Sequence, residues 1–224
     1  MSNKGVVLVS GGMDSLVTAA IAVSECEATY FLHLQYGQRT EERELKAFHQ
    51  IKEFYRPAGF LVSNISYLKQ IGNSSLIDTE LPIESTLDPE EIPSTYVPFR
   101  NAHLLAIAAS WAETLSANRI YIGAVEEDSS GYPDCRETFL TAFNRAIALG
   151  TKNIVPVTIK APLLHLSKKE IVIKGKELNV PFQFSWSCYQ ENDLACGVCP
   201  SCRLRLNAFR DAGIKDPIPY KLLK

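Results

Sequence analysis

The stretch VVLVSGGMDS at residues 6–15 is the feature that most narrows the folds open to this chain. An apolar run enters a turn with two adjacent glycines, and the chain then returns to the apolar segment LVTAAIAV. This order predicts a strand, a tight turn and the start of a helix, which together point backbone N–H groups at an anion. Glycines let the backbone approach a phosphate closely, and Ser10 and Ser15 add hydroxyl donors. We therefore predict a phosphate-binding loop rather than a turn with only a structural role.

This loop differs from the two commonest phosphate-binding patterns. It has no lysine at the Walker position, so it is not the usual nucleoside-triphosphate loop. It also lacks the third glycine of the dinucleotide fingerprint. Any nucleotide bound here is expected to be held by another arrangement.

Strand-like and helix-like segments alternate along the whole chain. After the first strand, apolar strand-like runs begin at residues 28, 59, 118 and 153, with segments of helical apolar spacing between them. Such alternation predicts an α/β fold with a mainly parallel sheet covered on both faces and ligands at the carboxyl ends of the strands. Ser167 followed by Glu170 predicts a capping box and hence a helix start.

Residues 73–98 are rich in proline, serine and acidic residues and show no sustained period. A segment of this length is long for an inert connection, which favours a mobile loop that closes over a site. A solvated excursion without a role is the alternative, and composition does not separate the two.

Chain length and net charge limit the class of protein to which this chain can belong. The 224 residues, of which 46% are hydrophobic, suffice for one substantial core and a small appendage. No apolar run has the length of a membrane span and the first residues lack a signal-peptide layout, so we expect a cytoplasmic protein with no membrane partner. A net charge of −2 leaves no excess of basic residues of the kind that nucleic-acid binding usually requires, so we expect no direct nucleic-acid binding.

Four of the six cysteines are clustered near the end of the chain. Cys188, Cys196, Cys199 and Cys202 have the spacing C-x7-C-x2-C-x2-C. Four thiolates match a tetrahedral zinc site with no position left for water, so we predict structural Zn²⁺. An iron–sulfur cluster and coincidental burial are the alternatives. We place a nucleotide-binding α/β domain at residues 1–181 and a zinc-binding subdomain at residues 182–224.

The SGGMDS loop resembles the SGGxDS loop of the ATP pyrophosphatase (PP-loop) superfamily. Further stretches make the chain similar, over nearly its whole length, to the 7-cyano-7-deazaguanine synthase family of queuosine biosynthesis. Phe99 and Pro200 depart from that family, which usually has glycine and aspartate at these positions. The stretches are YGQRTEEREL (36–45), VPFRN (97–101), SGYPDCRETF (130–139), HLSKKEI (165–171), WSCY (186–189) and the four-cysteine tail.

The resemblance implies a Rossmann-like adenine-nucleotide alpha-hydrolase fold and an ATP-dependent C–N ligase that is a homodimer. The implied reaction converts 7-carboxy-7-deazaguanine and ammonia to 7-cyano-7-deazaguanine. A first adenylation would give an acyl-adenylate and then an amide, and a second would give the nitrile. ATP with Mg²⁺ is the implied co-substrate.

The same resemblance implies residue roles. Catalysis would fall to Ser10, Asp14, Ser15, Arg100 and Lys168, and substrate binding to Tyr132, Asp134, Cys135 and Arg136. Arg100 and Lys168 are otherwise surface charges, Asp134 is otherwise an N-cap of the following helix, and Cys135 is otherwise packing. The implied ATP-binding residues are Ser10, Gly11, Gly12, Met13, Asp14, Ser15, Tyr36, Gln38, Arg39, Arg100 and Asn101.

Two other enzyme hypotheses and one binding hypothesis compete with this interpretation. A tRNA-thiolating relative would carry an RNA-binding domain or a basic face, and a different deazaguanine-activating protein would have nearly the same sequence. A zinc-ribbon binding module would show a basic, aromatic surface around the cysteines, for which two arginines soon after Cys202 are weak support.

Overall fold

The computed structural model of the chain describes residues 3–84, 91–126, 131–152 and 154–221. Among these residues, no helix is both long enough and apolar enough to cross a membrane. All statements below concern this part of the chain.

A five-stranded sheet forms the centre of the molecule. Its strands are β1 (Lys4–Leu8), β2 (Ala28–Gln35), β3 (Gly59–Asn64), β4 (Arg119–Tyr121) and β5 (Thr158–Lys160). They lie in the order β3-β2-β1-β4-β5, and every neighbouring pair is parallel. The five strand-like runs of the sequence thus each contain a strand, and the predicted parallel α/β fold is confirmed.

Helices cover both faces of the sheet because the strands, buried on both sides, need two apolar covers. The helices are α1 (Met13–Glu25), α2 (Glu41–Tyr55), α3 (Leu68–Ile71), α4 (Arg100–Leu115), α5 (Glu137–Gly150), α6 (Lys168–Glu177) and α7 (Pro200–Asp211), with 3₁₀ turns at Pro133–Cys135 and Phe182–Phe184. One buried cluster joins the sheet to α4 and α5, and the other joins it to α1, α2, α6 and α7.

The order of the strands reverses beside β1. The chain builds β1, β2 and β3 towards one edge and then returns to place β4 on the other side of β1. In open parallel sheets, the carboxyl ends at such a reversal leave a crevice that binds ligands. The glycine loop follows β1 directly, so it opens into this crevice.

The carboxyl-terminal region packs directly on the rest of the fold. Phe182 and Phe209 belong to the buried cluster that contains α1. Trp186 and the four clustered cysteines form a third cluster, which also includes Ala47 of α2. The division at residues 181 and 182 stays a prediction, and the two parts share packing across it.

The acidic segment at 73–98 is anchored at both flanks. Ser74 and Ser75 are fully buried, and the Ser75 N–H donates to the carbonyl of Ser94 at 2.8 Å. Arg39 donates to the carbonyls of Asp78, at 2.7 Å, and Leu81. The tip at 85–90, on which the prediction of a mobile loop or an excursion partly rests, lies outside the described residues.

Candidate active site

A cavity of about 300 Å³ lies at the carboxyl ends of the strands, beside the glycine loop. It joins segments that are far apart in sequence, from the first strand to α7. Most of the residues that the resemblance implies for the site line it. They are Ser10, Gly12, Met13, Asp14, Ser15, Tyr36, Arg100, Asn101, Tyr132, Cys135 and Lys168.

The glycine loop is held in shape by its own hydroxyls and by α2. Ser15 Oγ donates to the Gly12 carbonyl at 3.0 Å, and the Gly12 N–H donates to Ser10 Oγ at 3.2 Å. Gly11 has a φ of +95°, and a Cβ there would lie 2.7 Å from the Glu44 carbonyl oxygen. Only glycine fits this position without displacing α2. The first turn of α1, with its positive helix end, therefore faces the cavity.

Asp14 and Lys168 form an ion pair across the cavity wall. Lys168 Nζ donates to Asp14 Oδ2 at 2.8 Å, and both side chains are largely shielded from solvent. The Ser167–Glu170 capping box is present as predicted and fixes the start of α6, which puts Lys168 opposite Asp14. Asp14 Oδ1 is buried and, among the described residues, has no hydrogen-bond partner. This oxygen remains available to a cation.

Arg100 lies between two tyrosines that line the cavity. Its Nη1 donates to the Tyr36 hydroxyl at 2.9 Å, and its guanidinium carbon lies 5.3 Å from the Tyr36 ring centre and 5.9 Å from that of Tyr132. Burial raises the pKa of Tyr36 to about 12, although Arg100 opposes the shift. The phenol is therefore neutral near pH 7, and Arg100 presents a fixed positive charge to the cavity.

Asp134 lies behind the cavity wall rather than on it. Its Oδ2 accepts from the Asn101 N–H at 2.8 Å, in the first turn of α4, and Asn101 Nδ2 donates to the Asp134 carbonyl at 3.1 Å. The N-cap of the following helix α5 is Arg136, so Asp134 does not cap that helix. A carboxylate distant in sequence thus satisfies the N-terminus of α4.

Cys135 lines the cavity as a neutral thiol. Its Sγ accepts from Asn101 Nδ2 at 3.3 Å. Burial raises the pKa of Cys135 to about 11, and Asp134 adds to the shift. Since the thiolate is the nucleophilic form, this thiol is not activated for covalent catalysis.

Four other implied residues are absent from the cavity wall. Gly11 is buried beneath α2, and Arg136 is exposed at the start of α5. Gln38 is buried and accepts from the Tyr36 N–H at 3.0 Å, so it shapes the loop that carries Tyr36. Arg39 holds the 73–98 segment through the carbonyls described above. Gln38 and Arg39 therefore support the wall from outside.

Several wall residues were not predicted from the sequence. Trp186 lies against the glycine loop, and its N–H donates to the Gly11 carbonyl at 2.8 Å. Glu44 had a weak signal, because it lies within YGQRTEEREL. Trp186, Ser187 and Tyr189 had the same weak signal, because they lie within WSCY. Ser201 and Arg205 reach the wall only through the packing of the cysteine-containing segment. The unpredicted polar or aromatic residues are Glu44, Trp186, Ser187, Tyr189, Ser201 and Arg205.

The four clustered cysteines form a candidate metal centre. All four are buried, and their sulfur atoms lie within 4.8 Å of one another. A tetrahedral ion with metal–sulfur bonds of about 2.3 Å requires sulfur separations of about 3.8 Å, close to the 3.9 Å between Cys196 and Cys202. The N–H groups of Cys196 and Cys199 donate to sulfurs of the cluster at 3.4 and 3.3 Å, as expected around thiolates. The donor set fits one ion.

Comparison with protein families gives a match over nearly the whole chain. The family described as "Queuosine biosynthesis protein QueC" matches residues 4–213. The 7-cyano-7-deazaguanine synthase of Chloroherpeton thalassium is 56% identical over 220 residues, which is 98% of this chain and 97% of that protein. The enzyme of the same name from Chlorobium phaeobacteroides is 55% identical over 219 residues, 97% of each chain.

Solved structures give a more distant likeness. The U34-tRNA thiolase NcsA from Methanococcus maripaludis, solved with its [4Fe-4S] cluster, has a TM-score of 0.52 at 14% identity, covering 99% of this chain and 78% of that one. A 4-thiouridine synthetase in an RNA complex with bound ATP has a TM-score of 0.52 at 17% identity, covering 94% and 50%. At such identities the likeness shows the fold alone, and it is the predicted PP-loop fold.

Proposed function

The chain belongs to the QueC family of 7-cyano-7-deazaguanine synthases, ATP-dependent enzymes of queuosine biosynthesis, and we propose that its cavity carries out both adenylations of the reaction. The observation that carries this proposal is the arrangement of the glycine loop, the Asp14–Lys168 pair and Arg100 around one cavity. Each group is suited to phosphate charge, and the cavity has only one such set among the residues that line it.

The chemistry requires the same activation twice. A carboxylate oxygen of 7-carboxy-7-deazaguanine attacks the α-phosphorus of ATP, and pyrophosphate leaves. Ammonia then forms a C–N bond at the acyl carbon while AMP leaves with the C–O electron pair, and loss of one N–H proton gives the amide. The amide oxygen attacks a second ATP and pyrophosphate leaves, and loss of AMP and both nitrogen-bound protons completes the nitrile.

The glycine loop and α1 are proposed to bind the leaving pyrophosphate. Ser10 and Ser15 hydroxyls and the N–H groups at the start of α1 face the cavity, where the helix end favours an anion. Lys168 neutralises phosphate charge beside Asp14. The buried, unpartnered Oδ1 of Asp14 fits the magnesium that accompanies ATP.

Arg100 and the flanking aromatic residues are proposed to bind the base and the α-phosphate. Tyr36 and Tyr132 offer ring faces to a planar base, and Arg100 offers charge to the developing adenylate. Asn101 and Cys135 complete the wall. The resemblance implies direct contact between Asp134 and the substrate. The hydrogen bond that the Asp134 carboxylate accepts from the Asn101 N–H instead supports a role in positioning Asn101.

The four-cysteine centre is proposed to hold structural Zn²⁺. The four buried cysteines would fill its coordination, so zinc would supply folding energy and no open position for substrate. The close approach of the four sulfurs favours a single ion over a larger iron–sulfur cluster.

The proposed location is the cytoplasm, and the proposed assembly is a homodimer. Cys26 and Cys135 are free thiols and the clustered cysteines form no disulfides, which supports a reducing compartment. Half-exposed Phe54, whose ring lies 6.1 Å from that of Phe184, and half-exposed Phe60, whose ring lies 6.4 Å from that of Phe48, supply apolar surface on which a second copy could pack. Sedimentation velocity tests the dimer directly.

A direct assay tests the reaction and the loop assignment. We expect the protein, incubated with ATP, Mg²⁺, ammonium and 7-carboxy-7-deazaguanine, to release AMP and the nitrile, as followed by mass spectrometry. Lys168→Ala should reduce AMP formation roughly 100-fold, because one charge that stabilises the transition state is lost. Lys169→Ala is the matched control, since Lys169 is exposed on the same helix turn.

Two results would contradict the proposal. AMP without nitrile would keep an adenylating activity but require another acceptor. Equal rates for Lys168→Ala and Lys169→Ala would remove Lys168 from the chemistry.

A further inference from the structure

Glu44 is a carboxylate on the cavity wall that the roles above leave unused. It lies in the first turn of α2, and the backbone of the same residue abuts Gly11. Its Oε2 accepts from Gln38 Nε2 at 2.8 Å, and its Oε1 accepts from Thr40 Oγ1 at 2.9 Å. A carboxylate offers about four acceptor sites, so the side chain is fixed and yet retains room for another donor.

The surroundings of Glu44 favour proton transfer. Burial raises the pKa of Glu44, the bonds from Gln38 and Thr40 together with the Arg100 charge oppose the shift, and the neighbouring carboxylate Glu41 adds to it. Glu44 also acts electrostatically on Tyr36, which places its charge near the cavity tyrosine. A glutamate whose proton affinity is raised is a better base than one in water.

The reaction needs such a group. Ammonium must lose a proton before nitrogen can attack, and the activated amide must lose a nitrogen-bound proton when the nitrile forms. Among the described residues that line the cavity, the carboxylates are Asp14 and Glu44, and no histidine lines it. Asp14 is already paired with Lys168 at 2.8 Å. Glu44 is the remaining carboxylate.

We propose that Glu44 binds ammonium and is the proton acceptor in both nitrogen steps, an assignment that rests on the proposed function. In the first step, one N–H bond of ammonium breaks and its proton moves to Glu44. The freed electron pair forms the C–N bond, AMP leaves with the C–O pair, and the acylated nitrogen loses a second proton to solvent to give the neutral amide. Glu44 then returns its proton to solvent. In the second step, attack by the amide oxygen leaves two protons on nitrogen, of which one is lost to solvent and the other moves to Glu44. Those N–H electrons complete the triple bond while the C–O pair again leaves with AMP.

Glu44→Gln separates this role from a structural one. Glutamine keeps the size and one acceptor oxygen of the side chain but loses its basicity. Glu42→Gln is the matched control, because Glu42 is exposed in the same turn of α2 and carries the same charge. Thermal unfolding of both variants is measured first to compare their stability with the wild type.

Three rates are then compared. Pyrophosphate exchange into ATP with the carboxylate and no ammonium reports the first adenylation, and we expect it to be retained in Glu44→Gln. Amide formation with ammonium should fall by about 100-fold or more. With the amide supplied as substrate, nitrile formation should fall similarly, and formate added to Glu44→Ala should restore part of both rates as an external base.

The outcomes distinguish the two proposals. Wild-type protein that shows no carboxylate-dependent exchange overturns the proposed function, and the role of Glu44 with it. Normal amide and nitrile rates in Glu44→Gln overturn the role of Glu44 alone. So does a Glu44→Gln protein that loses exchange together with the nitrogen steps, because the residue would then support the cavity rather than move protons.

Discussion

Phe99 has a backbone conformation that glycine usually adopts. It precedes α4 with φ +56° and ψ +24°, in the left-handed region, and its side chain is 56% exposed. The left-handed region costs an ordinary residue about 1–2 kcal/mol. The family's usual glycine at this position therefore has a physical reason, and this chain offsets part of the cost by packing Phe99 edge-on against Phe139 at 5.9 Å.

Replacement of Phe99 tests this strain. We expect Phe99→Gly to leave the free energy of unfolding unchanged or to raise it by up to about 1 kcal/mol, because relief of strain offsets the lost ring contact. Phe60→Gly is the control, since Phe60 is 51% exposed but lies in regular strand β3. That variant should lose about 1–2 kcal/mol, as measured by denaturant unfolding. Equal losses in both variants would show that Phe99 is not strained.

Residues were predictable where a local pattern carries the chemistry. The glycine loop and the four cysteines are such patterns, because their geometry is set within a few residues. Asp134 was not predictable in this way. Its carboxylate caps α4 from a segment more than thirty positions away, and only tertiary packing brings the two together. The position of Glu44 on the cavity wall with Arg100 was likewise not predictable from a local pattern, because it depends on how α2 packs.

At the scale of elements, α7 links the cysteine cluster to the cavity through a buried ion pair. Arg205 is 1% exposed, and its Nε and Nη2 donate to the two carboxylate oxygens of Asp216 at 2.8 and 2.9 Å. Its Nη1 donates to Ser185 Oγ at 2.8 Å, which holds the segment that leads into Trp186. The directions of these hydrogen bonds fix the buried guanidinium as much as its attraction to the carboxylate does.

Arg205→Lys should destabilise the fold strongly, because lysine cannot form the two parallel bonds to Asp216. We expect a loss of about 3 kcal/mol and a fall in Tm of several degrees. Arg210→Lys is the control in the same helix, since the Arg210–Asp211 pair is exposed and such pairs contribute about 0–1 kcal/mol. Calorimetry of both variants would contradict this expectation if their Tm values were the same.

The helices and strands were largely predictable from the sequence. The capping box at Ser167 and the alternation of strands and helices both predicted the observed elements. The flanks of the 73–98 segment did not follow from composition. Leu76 and Ile77 are buried there among polar and acidic neighbours. Their anchoring depends on hydrogen bonds that Arg39 donates to this segment and on the bond that the Ser75 N–H donates to the Ser94 carbonyl.

At the scale of the whole molecule, the cysteine centre and the cavity form one unit. The centre lies between the two cavity-wall segments that carry Trp186 and Arg205. The spacing of the four cysteines predicted a small zinc-binding subdomain at residues 182–224, and its boundary stays a prediction. The shared packing of Phe182 and Phe209 with α1 depends on side-chain shape at long range, which a spacing pattern does not record.

Loss of the metal should therefore reduce stability before it affects chemistry. Cys196→Ser removes one of the four proposed ligands, and we expect lower metal content, a lower Tm and poorer solubility, since structural zinc contributes on the order of 10 kcal/mol to folding. Cys26→Ser is the control, because Cys26 lies outside the cluster. A Cys196→Ser protein with wild-type Tm and no activity would instead indicate a direct part in the reaction.

The bond from the Trp186 N–H to the Gly11 carbonyl has a consequence for synthesis on the ribosome. The glycine loop is made about 175 residues before its partner segment at Trp186. At elongation rates of about 5–20 residues per second, the loop waits roughly 10 to 35 s for Trp186. Throughout that interval the nascent chain carries a phosphate loop without its closing wall. The closing wall of the cavity therefore cannot form until the chain has been made at least as far as Trp186.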